Sequence, residues 1–222
     1  MTRADDKVSE SMPFASLGTG SAIGSSEHNA MNYEMALQGH ILLRNEKAML
    51  PLDTTKRTFL VGPMSGGYQC QSGYETASEG CSSLSSSLAK AANWTNFSSA
   101  SATDVNCPSH SKPGQRPVNC TAARPQLEAA IAEAGLADQI VLAVGIDQSI
   151  TGEGRDRTNI TLPGLQPELV SRVLALGKPT LLVLVNGATL GVEMYTDASL
   201  QVPDGHPNLL AIVESWQPGV GE

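Results

Sequence analysis

Basic residues are scarce in this chain: Lys and Arg total 14 against 22 Asp and Glu, a formal net charge of −8. No basic patch is available to neutralise a polyphosphate backbone, which argues against nucleic acid as a partner. Long apolar runs are missing as well. Nothing approaches the roughly 20 consecutive apolar residues of a membrane-spanning helix, so no membrane partner is expected. MTRADDKVSESMP lacks the apolar region of a secretory signal. The four histidines (His28, His40, His110, His206) lie far apart, and no cysteine pair has metal-finger spacing. A zinc site is therefore not expected, nor any other metal or cofactor. Serine-hydrolase and P-loop signatures are absent: there is no G-x-S-x-G, and Gly177-Lys178 is followed by Pro179.

What is present fits a globular chain. Its 222 residues suffice for one or two domains with a real core, and 41% hydrophobic with 16% charged residues is not a disordered composition. Residues 1–26 read as a polar, Ser/Gly-rich, disordered lead-in, and 27–222 as the folded unit. GTGSAIG at 18–24 resembles a dinucleotide fingerprint superficially, but no strand precedes it. Glu27–Gln38 is the first helical segment, with Ser25 or Ser26 as cap, Gly39 as its end, and Met31 and Met35 on one face expected to pack in the core. Apolar runs at Ile41–Leu43, Thr58–Val61, Ile140–Gly145, Thr180–Val185 and Leu209–Val213 read as strands. Pro125–Gly135 and Gln166–Leu176 read as amphipathic helices. The first turns Leu127, Ala130, Ile131 and Ala134 inward, the second Leu169, Val170, Val173 and Leu174. A polar helix or loop fills Asn186–Pro207. Strands alternating with helices predict an α/β fold with parallel βαβ units.

Residues 64–120 break the pattern. The stretch is Ser-rich, poor in apolar periodicity and too long for an ordinary connection, so it reads as an insertion, a lid or a partly disordered segment. It holds all four cysteines, Cys70, Cys81, Cys107 and Cys120. An even count in a weakly apolar stretch points to disulfides formed in an oxidising compartment; four free thiols in a cytosolic chain is the alternative. The sequons at Asn93, Asn96, Asn119 and Asn159 point to the secretory pathway, though a Ser/Thr-rich chain also makes such triplets by chance.

The stretch richest in chemistry is Val141–Gly164, VLAVGIDQSITGEGRDRTNITLPG. Its opening strand ends at Gly145, and a loop dense in glycine and ionisable residues follows: Asp147, Gly152, Glu153, Gly154, Arg155, Asp156, Arg157. In a parallel α/β sheet, ligands sit outside the carboxyl ends of strands, where this loop must lie. A carboxylate flanked by glycines can approach a ligand closely. Arg155, Asp156 and Arg157 are placed to brace the loop by charge-assisted hydrogen bonds. A solvated surface turn with internal ion pairs is the alternative.

DQSITGEGRDRTNITLPGLQPELV resembles the DQSIE-x-E-x-RDR-x-x-L-x-LPG-x-Q-x-x-LV segment of the glycoside hydrolases of family three, most of all the branch of plant and fungal β-xylosidases. GHILLRNEKAMLPLD, TFLVGP, GKPTLLVLVNGATL and AIVESWQPGVGE are similar to further family segments in the same order. The likeness covers the second, C-terminal domain of that family. It implies a three-layer α/β sandwich, a mostly parallel sheet flanked by helices, here incomplete at the C-terminal end. The family's barrel domain with its nucleophilic aspartate has no counterpart in this chain.

The resemblance also implies the chemistry. Retaining glycosidases need two carboxyl groups roughly 5–5.5 Å apart, one nucleophilic and one acting as general acid, then base. Glu153 matches the family's acid/base glutamate. Where many relatives carry a second glutamate, this chain has Thr151, leaving Glu153 as the only glutamate of the loop. Asp147 and Gln148 are candidate sugar contacts by position. Glu34, Glu46, Glu168 and Glu214 read as surface or structural groups. The function implied is an exo-acting β-xylosidase, arabinosidase or β-glucosidase acting on β-linked oligosaccharides or xylan fragments, with a barrel domain as partner and the isolated chain inactive. The alternative is a non-catalytic sugar-binding or assembly module, or a truncated product. Family relatives are secreted or vacuolar, which implies an extracellular or secretory location.

Overall fold

The computed structural model describes residues 24–66, 83–92, 94–105, 107, 120–147, 150–154, 156–191 and 206–217. Its elements run α1 (Ser26–Gly39), β1 (Ile41–Asn45), β2 (Thr58–Val61), α2 (Leu84–Ala92), β3 (Phe97–Ala100), a 3₁₀ turn (Cys120–Ala123), α3 (Arg124–Gly135), β4 (Gln139–Gly145), α4 (Gln166–Ala175), β5 (Thr180–Asn186) and β6 (Leu209–Trp216).

The strands form one six-stranded sheet in the order β1-β6-β5-β4-β2-β3. All neighbours are parallel except the β1–β6 pair. β4 and β5 are buried at every position, as strands covered on both faces must be. On one face α3 and α4 pack Leu127, Ala130, Leu169, Val170 and Val173 against Phe59, Ile140, Leu142, Leu182 and Ile212. On the other, Leu84 and Leu88 of α2 lie against Leu60, Val141, Ala143, Leu181 and Val183. The result is the expected three-layer α/β sandwich with a mostly parallel sheet.

The helices obey local rules. Ser25 caps α1, its hydroxyl accepting from His28 N at 3.2 Å. Proline stands in the first turn of both α3 and α4, where no backbone donor is lost. Gly177, at φ 69°, takes the chain out of α4 in a left-handed conformation that costs glycine little.

Two expectations are corrected. Met31 and Met35 are not core residues: they are 57% and 67% exposed, and α1 buries none of its residues. Their spacing puts them on one face of α1, and no neighbouring layer of the described fold reaches it. Residues 64–120, expected as an insertion, a lid or a partly disordered segment, are in part regular structure of the sheet layer. They contain α2 and β3, and β3 is a sheet strand pairing with β2 from Thr58↔Phe97 to Val61↔Ala100. Buried Met64, Ala102, Val105 and Cys107 from this stretch join the two cores. FSSA has no apolar alternation to announce a strand; its ladder with β2 supplies what its side chains do not. Residues 67–82, 93, 106 and 108–119 of that stretch, the lead-in up to residue 23, and 192–205 lie outside the described residues.

Candidate active-site loop

β4 ends at the carboxyl edge of the sheet with Gly145, which is packed so closely on β5 that an added Cβ would lie 1.8 Å from Val185 O. Ile146 N donates to Val185 O at 3.0 Å, and the chain then leaves the sheet. Asp147 O accepts from the backbone N of both Ile150 and Thr151 at 3.0 Å, folding the first part of the loop into a turn. Ile150 is packed against one core, while Leu162 and Leu165 are buried in the other. The loop therefore straddles the end of the sheet, with one apolar anchor on each side.

Glu153 stands between these anchors and is exposed. Gly154 beside it has φ 71° and open space where a side chain would be, so the turn carrying Glu153 is held open at no steric cost. Arg157 secures the far half of the loop. Its Nη1 donates to Thr189 O and its Nη2 to Thr161 O, both at 2.8 Å. Partial burial lowers its pKa from the ordinary guanidinium value. Thr161 forms a parallel bridge with Gly191, and Gly191 N donates to Ile160 O at 2.8 Å. The loop is thus tied to the segment after β5 by backbone and side chain together.

The other expected site residues are placed unevenly. Asp147 is half-buried at the loop's root, about where a strand-end contact would be wanted. Asp156 is exposed and has no hydrogen-bond or ion-pair partner among the described residues. Gln148 and Arg155 lie outside the described residues, as do Cys70, Cys81, Asn93 and Asn119. Cys107 and Cys120 form a disulfide with Cα atoms 5.2 Å apart, joining the segment after β3 to the turn before α3. Asn96 and Asn159 are exposed, and Asn159 Oδ1 accepts from Thr161 N at 2.8 Å. Among the described residues no cluster of His, Cys, Asp and Glu is arranged to hold a metal ion, and no helix is long and apolar enough to cross a membrane.

Two polar residues have buried settings that composition and periodicity do not signal. Gln166, wholly buried at the start of α4, hydrogen-bonds Gly145 and Val105 through its side chain. The family segment carries a glutamine at this place, but in the first helical turn it looks like an ordinary exposed position, and the buried backbone groups around it reveal the role. Glu214, expected to be a surface or structural group, is half-buried near the end of β6 with Oε1 shielded and without a hydrogen-bond partner. Desolvation raises its pKa, opposed in part by a hydrogen bond with Asn186. The isolated Glu between Val213 and Ser215 carries no local signal of that setting.

Comparison with known proteins agrees with this geometry. Residues 40–222 match the Glycosyl hydrolase family 3 C-terminal domain. A beta-xylosidase of Formosa agariphila is 30% identical over 207 residues, covering 89% of this chain and 25% of its own length. Beta-D-xylosidase 1 of Arabidopsis thaliana is 31% identical over 210 residues, covering 93% and 24%. Among solved structures, a GH3 exo-beta-xylosidase in complex with a xylobiose aziridine activity-based probe superposes with TM-score 0.69 at 27% identity, covering 87% of this chain and 22% of that one. A beta-glucosidase from Erythrobacter marinus gives TM-score 0.70 at 26% identity, covering 89% and 27%. The chain spans about a quarter of the length of the curated relatives it matches. It belongs to glycosyl hydrolase family 3, and the part of the family that it matches is the C-terminal domain.

Proposed function

We propose that this chain supplies the acid/base half of a retaining, exo-acting glycosidase of β-xylosidase type, with Glu153 as the general acid and base. The observation that carries the reading is the placement of Glu153: exposed, beside an unobstructed glycine, on a loop anchored at the carboxyl end of the sheet. Relatives named as beta-xylosidases support the substrate class of β-linked xylose, while the likeness to a beta-glucosidase keeps glucosides as the second class to be assayed. The nucleophilic carboxylate is assigned to a barrel domain that faces Glu153 across the scissile bond. Glu153 protonates the departing oxygen as the glycosyl-enzyme forms, then takes a proton from the water that resolves it. The disulfide between Cys107 and Cys120 supports an oxidising compartment as the place of folding.

The test joins this domain to a family barrel. A dinitrophenolate leaving group needs little protonation and a sugar alcohol needs much. Glu153→Ala is therefore expected to slow hydrolysis of an unactivated disaccharide by about 10²–10⁴-fold, and glycosylation from the activated aryl glycoside far less. Azide, which needs no general base, is expected to restore turnover of the aryl substrate. Equal losses on both substrates without azide rescue would reject Glu153 and favour a non-catalytic role for the loop.

A further inference from the structure

We infer that Gln166 is a positioning residue for the Glu153 loop, clamping the loop's two ends together through both backbone groups of Gly145. The functional meaning of the clamp rests on the acid/base reading above; its geometry does not. Gln166 is 0% exposed, a setting in which every polar atom needs a partner. Its Oε1 accepts from Gly145 N at 2.8 Å, and its Nε2 donates to Gly145 O and to Val105 O, both at 2.9 Å. One amide thus satisfies three backbone groups from two separate parts of the chain.

The location gives the clamp its consequence. Gly145 is the last residue of β4 and Gln166 the first of α4, so everything between them is the loop that carries Glu153. Gly145 has no room to shift toward β5, since the backbone of Val185 already lies where a side chain would begin. The strand end is therefore held by β5 from one side and by Gln166 from the other. The bond to Val105 O extends the junction to the segment that reaches the Cys107–Cys120 bridge two residues later. A leucine at 166 would fill similar space but leave Gly145 N, Gly145 O and Val105 O buried without partners, so packing alone does not account for glutamine here.

The test is hydrogen exchange, followed by NMR on the 222-residue chain. In the unaltered protein the Gln166 side-chain amide protons and the Gly145 N–H are expected to exchange as slowly as the interior strand amides of Leu142 and Leu182. Rapid exchange of the Gln166 amide would overturn the inference without any variant. Gln166→Leu is expected to speed exchange of the loop's hydrogen-bonded amides, those of Ile146, Ile150, Thr151 and Thr161, by on the order of tenfold or more, leaving Leu142 and Leu182 within about twofold. Leu169→Ala, a cavity in the same helix, is the control and is expected to speed the sheet amides as well. Gln166→Glu separates positioning from packing. As a neutral acid it can accept from Gly145 N and donate to Gly145 O; as a carboxylate it faces two carbonyl oxygens. Loop exchange in that variant, corrected for intrinsic rates, is expected to rise as pH climbs through the acid's titration. A loop and sheet loosened equally by Gln166→Leu, or a Gln166→Glu loop indifferent to pH, would also overturn the assignment. None of these readouts involves catalysis, so rejection of Glu153 as acid/base would leave the clamp standing, and rejection of the clamp would leave Glu153 to its own assay.

Discussion

Glu153 and Glu214 are both carboxyl groups near the carboxyl end of the sheet, and their surroundings differ. Glu153 is exposed on its loop, while Glu214 is half-buried with one oxygen shielded from water. Loss of hydration disfavours the charged form, so the Glu214 pKa is raised from its ordinary value of 4.5. The folded protein then binds the Glu214 proton more tightly than the unfolded chain does. Between the unfolded and the raised folded value the native state holds more protons, so stability contributed by this group is present below the unfolded pKa and lost as pH rises through the folded one. Glu214→Gln removes the titration. Its stability relative to the unaltered protein is expected to improve on going from mildly acidic to neutral pH, as measured by urea unfolding across that range. A difference that stays flat with pH would contradict the assignment of Glu214 as the desolvated acid.

At the scale of elements, short segments without a strong pattern of their own are held by covalent or ladder contacts. β3 is four residues long with two serines, and at the sheet edge its one strand neighbour is β2, with Phe97 and Ala100 packed against the cores. The chain leaving β3 is joined to the turn before α3 by the bridge across a sequence separation of 13. Closing a loop of this length restricts the unfolded ensemble and typically contributes about 2–4 kcal/mol. Reducing the Cys107–Cys120 bond, or replacing both residues with serine, is therefore expected to lower unfolding free energy by about that amount. Thermal unfolding with and without reductant checks it, and an unchanged midpoint would mean that the bridge constrains nothing the rest of the fold leaves free. The ion pairs that connect helices are weaker supports. Arg124 and Arg172 make two-pronged contacts with Glu168 and Glu128, but these groups are substantially exposed, where such pairs contribute little.

At the scale of the molecule, apolar surface among the described residues is unevenly distributed. Seven of the exposed large hydrophobic residues come from one stretch of chain: Met31, Tyr33, Met35 and Leu37 of α1 with Ile41, Leu42 and Leu43 of β1. β1 is also an edge strand, with backbone groups open to further pairing on its outer side. Exposed apolar side chains on a helix and an open strand edge in succession favour association. The isolated chain is expected to sediment as a concentration-dependent mixture, and Leu42→Lys together with Met35→Lys is expected to shift it toward monomer. If the double variant sediments like the unaltered chain, association arises elsewhere on the surface.

The amino-acid sequence alone determined the elements whose patterns are complete in themselves. β4 and β5 are continuous apolar runs, α3 and α4 have a buried stripe opened by proline, and Gly145 and Gly177 close a strand and a helix. It also determined the place of the candidate loop, because a strand followed by glycines and charges can only emerge at a strand's carboxyl end, and its motifs resemble those of the family. The tertiary structure alone decided whether each apolar stripe had something to cover it. Met31 and Met35 have the spacing of core residues and are exposed, because periodicity describes a face and not its neighbour. It likewise decided that FSSA is a strand, through its parallel pairing with β2. The same holds for the polar residues that matter most to the loop. Gln166 is needed by carbonyl and amide groups 21 and 61 positions away, and Glu214 is desolvated by the folding around it. Such demands arise between segments brought together by the sheet, so no window of local sequence contains them.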